Sequence, residues 1–101
     1  MTFSEDVGKR FEAYGWFVQH IDGHDAAAIE RALDAAVAER ERPSLVIART
    51  HIAHGSPNKH DTAESHGAPL GAEEILATKK HLGWPAEPTF LVPEDVRALF
   101  A

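Results

Sequence analysis

The chain has 101 residues, 44% of them apolar and 26% charged, which suits one small domain with a modest core and is too apolar for a disordered segment. Sixteen acidic against ten basic side chains leave a formal charge of −6, so phosphate backbones repel the chain and nucleic acid is not an expected partner. With no cysteine there is neither a disulfide framework nor a thiolate metal site.

The acidic start at Ser4, Glu5 and Asp6 is no signal peptide, and no stretch reaches the roughly 18 apolar residues of a membrane span. We therefore expect a soluble, cytoplasmic chain without a membrane partner. Ser4 is placed to cap a first helix, with Glu5 and Asp6 in its first turn. Val7, Phe11 and Tyr14 form its apolar stripe and Gly15 its left-handed end. Residues 16–21 are bulky and β-prone and read as a strand, closed by the Asp22-Gly23 turn.

Asp25 can cap a second helix over residues 26–40, in which Ile29, Leu33 and Val37 recur every four residues beside Ala32 and Ala36. That face suits close packing on a sheet. Arg40 and Arg42 are placed to meet the helix dipole before Pro43. Residues 45–48, Leu-Val-Ile-Ala, then form a second strand without clean alternation, as expected of a strand covered on both faces. Strand, helix and strand make a right-handed βαβ unit with parallel strands.

From Arg49 to Gly71 no helix or strand period is visible. Compact domains rarely carry so long a connection unless it binds something. It holds His51, His54, His60 and His66, four of the seven histidines, together with Asn58 and Lys59. Gly55, Pro57, Gly67, Pro69 and Gly71 punctuate it with turns. The loop leaves the carboxyl end of the second strand, where ligands of parallel α/β sheets sit.

A third helix follows over residues 73–82, acidic at its start (Glu73, Glu74) and basic at its end (Lys79, Lys80, His81), and Gly83-Trp84-Pro85 stops it. Residues 86–91 are expected to be extended. Pro93 sits at the first position of a short last helix carrying Val96, Leu99 and Phe100. The fold class is α/β: a partial three-layer parallel-sheet unit in the order α-β-α-β-long loop-α-α. Two strands leave open edges, so the sheet is expected to pair with another chain or to belong to a larger protein. A core this small implies marginal stability.

Several groups could carry chemistry. His66, in Ser65-His66-Gly67-Ala68-Pro69-Leu70, could donate a hydrogen bond to a phosphate or move a proton near neutral pH; the plainer reading is a surface histidine on a loop carbonyl. Lys59 could neutralise a phosphate, although a solvated loop lysine is the commoner outcome. His51/His54 and His20/His24 have spacings that bind metals on helices, but neither pair falls on a predicted helix and no acidic third ligand is evident. No metal site is expected from them. Trp16, Phe17 and Trp84 read as core residues or sheet covers. Neither a G-x-G-x-x-G fingerprint nor a phosphate loop is present, and no Ser-His-Asp arrangement is legible.

Taken in order, Phe3-Ser4-Glu5-Asp6-Val7, Arg10-Phe11-Glu12-Ala13-Tyr14-Gly15-Trp16, Ile21-Asp22-Gly23-His24-Asp25, Arg49-Thr50-His51-Ile52, Gly55-Ser56-Pro57-Asn58-Lys59 and His66-Gly67-Ala68-Pro69-Leu70-Gly71 resemble transketolase. Trp84 and Val92-Pro93-Glu94-Asp95-Val96 continue the resemblance across essentially the whole chain. It implies a fragment of a thiamine diphosphate-binding fold, with residues 1–101 a single partial domain from the later part of the amino-terminal domain. The implied activity is transfer of a two-carbon ketol unit from a ketose phosphate to an aldose phosphate, in a homodimer using thiamine diphosphate and Mg²⁺.

By the same implication His66 is the histidine that hydrogen-bonds the cofactor diphosphate and faces the substrate, so it is the expected catalytic, cofactor-binding and substrate-binding residue. Lys59 is a secondary substrate-binding candidate, while His24 and the Asp22-Gly23 turn are structural. The family's Gly-Asp-Gly cofactor motif, which supplies the metal ligands, has no counterpart in these residues, so no metal ligand is expected here. The chain is then a truncated, split or remnant gene product that binds cofactor weakly and is inactive by itself. Its partner would be the remainder of a transketolase or a homologous subunit. The rival readings are a non-catalytic remnant that docks on a homologue and a freestanding phosphate-binding α/β protein.

Overall fold

Strands β1 (Phe17–Asp22) and β2 (Ser44–Arg49) lie side by side and parallel in the computed structural model, which describes residues 4–101. Phe17 pairs with Ser44 and Asp22 with Arg49, so the ladder runs the full length of both strands. Helix α1 (Val7–Ala13) precedes β1, and α2 (Ala26–Ala38) is the crossover between the strands. A 3₁₀ turn (Ala63–His66), α3 (Ala72–His81) and α4 (Glu94–Phe100) follow. The mixed α/β order and the parallel pair are those expected from the sequence. The described residues divide into two compact units, one ending at Thr50 and the other running His51–Ala101.

In the first unit the helix ends differ from the expected ones for local electrostatic reasons. Asp6, rather than Ser4, caps α1: its Oδ1 accepts from the Lys9 amide at 3.0 Å, at the reach a carboxylate needs for the third helical amide. Glu5 pairs instead with Arg10. Asp25 caps α2 as expected, its Oδ1 accepting from Ala27 and Ala28 at 2.9 and 3.2 Å.

Helix α2 stops at Ala38, not near residue 40, and has no basic residue in its last turn. Glu39 accounts for this. Its carboxylate accepts from the Glu41 amide at 2.8 Å and from the Arg42 guanidinium at 2.9 Å, closing a local turn. Arg42 therefore serves Glu39, and its guanidinium lies 5.3 Å over the Phe17 ring, instead of meeting the dipole.

The face that α2 turns to the sheet is narrower than expected. Ala32 is buried at 2% exposure, and Gln19 on β1 donates to its carbonyl at 3.0 Å. Ile29, Leu33 and Val37, expected against the sheet, are exposed. A two-stranded sheet is wide enough to cover only the alanine stripe. Phe11 of α1 stacks edge-on with Trp16 at 4.9 Å, and both are half-buried. His20 on β1 packs against Gly8 of α1, where a methyl group would stand 2.6 Å from the ring.

In the second unit, α3 lies one residue earlier at each end than expected, with Glu73 and Glu74 in its first turn and Lys79, Lys80 and His81 in its last. Trp84 is exposed, not a core residue; its amide donates to the Lys79 carbonyl at 2.7 Å and closes the helix end. Residues 86–91 form bends and turns instead of an extended segment, and Pro93 caps α4 from just outside its first turn. The proline ring presets φ at −56° but the residue keeps an extended ψ of 148°. No helix of the described residues is long and apolar enough to cross a membrane.

Candidate functional site

The connection after β2 is ordered by its own polar side chains. Glu74, in the first turn of α3, is buried, and its carboxylate gathers the loop. Oε1 accepts from the Ser56 hydroxyl at 2.5 Å and the Asn58 amide at 2.8 Å, and Oε2 accepts from the Asn58 side chain at 2.9 Å. The Ser56 hydroxyl in turn accepts from the Lys59 amide at 3.2 Å. These donors, Ser56 first and Asn58 next, hold the Glu74 carboxyl down to about 2. Ser-Pro-Asn thus folds into a turn docked on one carboxylate. Gly55 precedes it at a φ of 86°, and a side chain there would meet Leu82 at 2.6 Å.

A second layer holds the next stretch. The Thr62 and Ser65 hydroxyls both donate to the Lys59 carbonyl at 2.8 Å. The Lys59 ammonium reaches Glu64 at 2.6 Å. Lys59, a candidate phosphate ligand from sequence, therefore already has its charge matched. His66 ends the 3₁₀ turn and is exposed. Among the described residues no hydrogen bond joins it to Lys59. Beside it, Gly67 has no atom within 4 Å of where a Cβ would stand, so a ligand can approach the backbone there.

The loop's other histidines are placed differently from the sequence spacing. His51 Nδ1 lies 2.8 Å from Asp61 Oδ2, and His60 Nε2 lies 3.5 Å from the same oxygen. The His51 and His60 rings are 4.9 Å apart at 30°. An acidic group does stand beside His51, contrary to the expectation, and its second imidazole is His60 instead of His54. His20 faces α1, and the His24 amide donates to Asp22 Oδ1 at 2.9 Å in the expected structural turn.

Sequence reasoning missed the Ser56-Asn58-Glu74 knot and the Asp61 cluster. A signal for the first was available. Gly71 offers no side-chain cap to α3, so an acidic residue in that first turn is drawn to nearby donors. Nothing local marks the second, because His51 and Asp61 are ten residues apart.

The family model for transketolase, thiamine diphosphate binding domain, matches residues 1–101. The chain belongs to the transketolase family. Transketolase 2 of Vibrio parahaemolyticus is 56% identical over 97 residues, which are 95% of this chain and 14% of that protein. A crystal structure of transketolase from Campylobacter jejuni superposes on 98% of this chain and 16% of its own, with a TM-score of 0.89 and 38% identity. A transketolase from Pichia stipitis, in complex with sedoheptulose-7-phosphate, superposes on 98% of this chain and 15% of its own, with a TM-score of 0.87 and 37% identity. The chain thus spans about one seventh of the length of these transketolases.

Proposed function

We propose that this chain supplies the His66 loop of a transketolase, in the transfer of a two-carbon ketol unit from a ketose phosphate to an aldose phosphate. The observation that carries the reading is the match of the whole chain to the thiamine diphosphate binding domain. The sugar phosphate bound by the Pichia stipitis relative supports the substrate class. In this reading residues 1–101 are one partial domain of a cytoplasmic, homodimeric enzyme, and Mg²⁺ is held with the cofactor by other segments.

The exposed His66 and the open backbone at Gly67 fit thiamine diphosphate as a contact, not as its anchor. One imidazole and a lysine already paired with Glu64 do not balance a diphosphate. When bound, the cofactor supplies the electron sink for breaking and making the carbon–carbon bond. His66 would donate an imidazole N–H to the cofactor's diphosphate and would steady charge developing on a substrate oxygen. Lys59 contributes to a substrate phosphate only by exchanging its partner Glu64. The Glu74 knot holds the loop that carries both.

In an enzyme reconstituted from this chain and the remaining transketolase segments, His66→Ala should lower kcat by at least about tenfold. An unchanged rate would remove His66 from the site and favour a remnant that only docks. Calorimetry of the isolated chain with thiamine diphosphate and Mg²⁺ should show no heat; measurable affinity would overturn the view that the anchors lie in other segments.

A further inference from the structure

Two histidines aim ring nitrogens at one carboxylate oxygen in the second unit. His51 Nδ1 and His60 Nε2 stand 2.8 and 3.5 Å from Asp61 Oδ2. One ligand atom from each of the three residues lies within 4.8 Å of the others. We propose that His51, His60 and Asp61 bind a divalent transition-metal ion, zinc above all. Nothing in this proposal depends on the transketolase activity.

The geometry is close to what the metal requires. Zinc takes imidazole nitrogen and carboxylate oxygen at about 2.0–2.2 Å in a tetrahedron, which puts its ligand atoms roughly 3.3 Å apart. The two nitrogen–oxygen separations bracket that value. The His51 and His60 side chains are 40% and 41% exposed, so an ion can reach both rings from solvent. The backbone already brings the ligands together. The Asp61 amide donates to the Ile52 carbonyl at 3.1 Å, and Asp61 adopts a φ of 56°, a conformation aspartate tolerates better than most residues. This clasp folds residues 52–61 back on themselves, so that His51 meets a pair nine and ten positions later.

The donor set also selects the ion. Two imidazoles and one carboxylate suit zinc, cobalt and related metals, whereas magnesium and calcium prefer oxygen throughout. Three protein ligands leave a fourth position to water.

The test is titration of the untagged chain of residues 1–101 with Co²⁺, read by its visible absorption, followed by displacement with Zn²⁺. The expected result is one ion per chain. His60→Ala and Asp61→Asn should each weaken Zn²⁺ binding by at least about tenfold. His81→Ala, at the end of α3, should change it by less than about twofold. Circular dichroism of each variant separates ligand loss from unfolding, and Asp61→Asn keeps the shape of the side chain. Wild-type affinity in both His60→Ala and Asp61→Asn overturns the proposal. So does the absence of a cobalt band from the unmutated chain, whatever its secondary structure.

Discussion

The two units of this chain are held by opposite kinds of force. The first is a repeating structure, a parallel ladder with helices on it, and its buried apolar residue is Ala32. The second has little repeating structure before α3, and its buried polar residues are Ser56 and Glu74. Neither unit has a large side chain that is fully buried among the described residues. Where a core is thin, regular backbone pairing can substitute for it, and so can one well-satisfied carboxylate. The difference is in what each unit rests on: the ladder spreads its hydrogen bonds along two strands, whereas a knot of coupled hydrogen bonds depends on its central acceptor.

Removing that acceptor is the strongest way to break the comparison. Glu74→Ala leaves the Ser56 hydroxyl and both Asn58 donors without their partner. Amide exchange at Asn58 and Lys59 should quicken on the order of a hundredfold, with little change in β1 and β2. Equal loss of protection in both units would show that they share one cooperative transition.

Acid tests the same group. The Glu74 carboxyl lies at about 2 in the fold against an ordinary value of 4.5, so between those values the unfolded chain binds the proton more readily. The stability contributed by Glu74 is therefore complete above 4.5 and is lost as pH falls toward 2. Asp6, accepting from the Lys9 amide, and Glu39, accepting from the Glu41 amide, are also held below the usual carboxylate range and act in the same direction. Glu74→Gln should flatten the acid limb of the denaturation curve, and an unaltered limb would assign it to other carboxylates.

In the first unit the largest expected effect comes from overpacking. Ala32→Leu places a bulky side chain where α2 meets the sheet and should cost about 1–3 kcal/mol in urea denaturation. No cost would mean that the helix can lift from the ladder freely. Asp25→Ala removes the cap of α2 and should cost ~1 kcal/mol, read as a lower midpoint with reduced helicity. A cost well above that would show that α2 is nucleated from its cap and not by the sheet.

Much of the first unit could be read from residue order alone. The βαβ alternation, the Asp25 cap and the parallel pairing follow from local propensity and crossover geometry, and the structure has all three. What went astray there were choices between neighbours of similar chemistry. Ser4 and Asp6 can both cap α1, and the stripes Ile29-Leu33-Val37 and Ala28-Ala32-Ala35 both repeat along α2. Burial decides between such stripes, and burial depends on how wide the sheet is.

The loop stands out in the sequence by its length and its histidines, and the resemblance in residue order names the family that the family model also matches. Its internal organisation was not legible. Asn58 meets Glu74 across sixteen residues and His51 meets Asp61 across ten, distances over which no helical or strand period operates. Residue order by itself determined most of the elements, their parallel pairing and the family, because those rest on local backbone preference and on short motifs. Only the tertiary structure decided which carboxylate organises the loop and which histidines share an oxygen, because such pairings depend on where the chain turns back on itself.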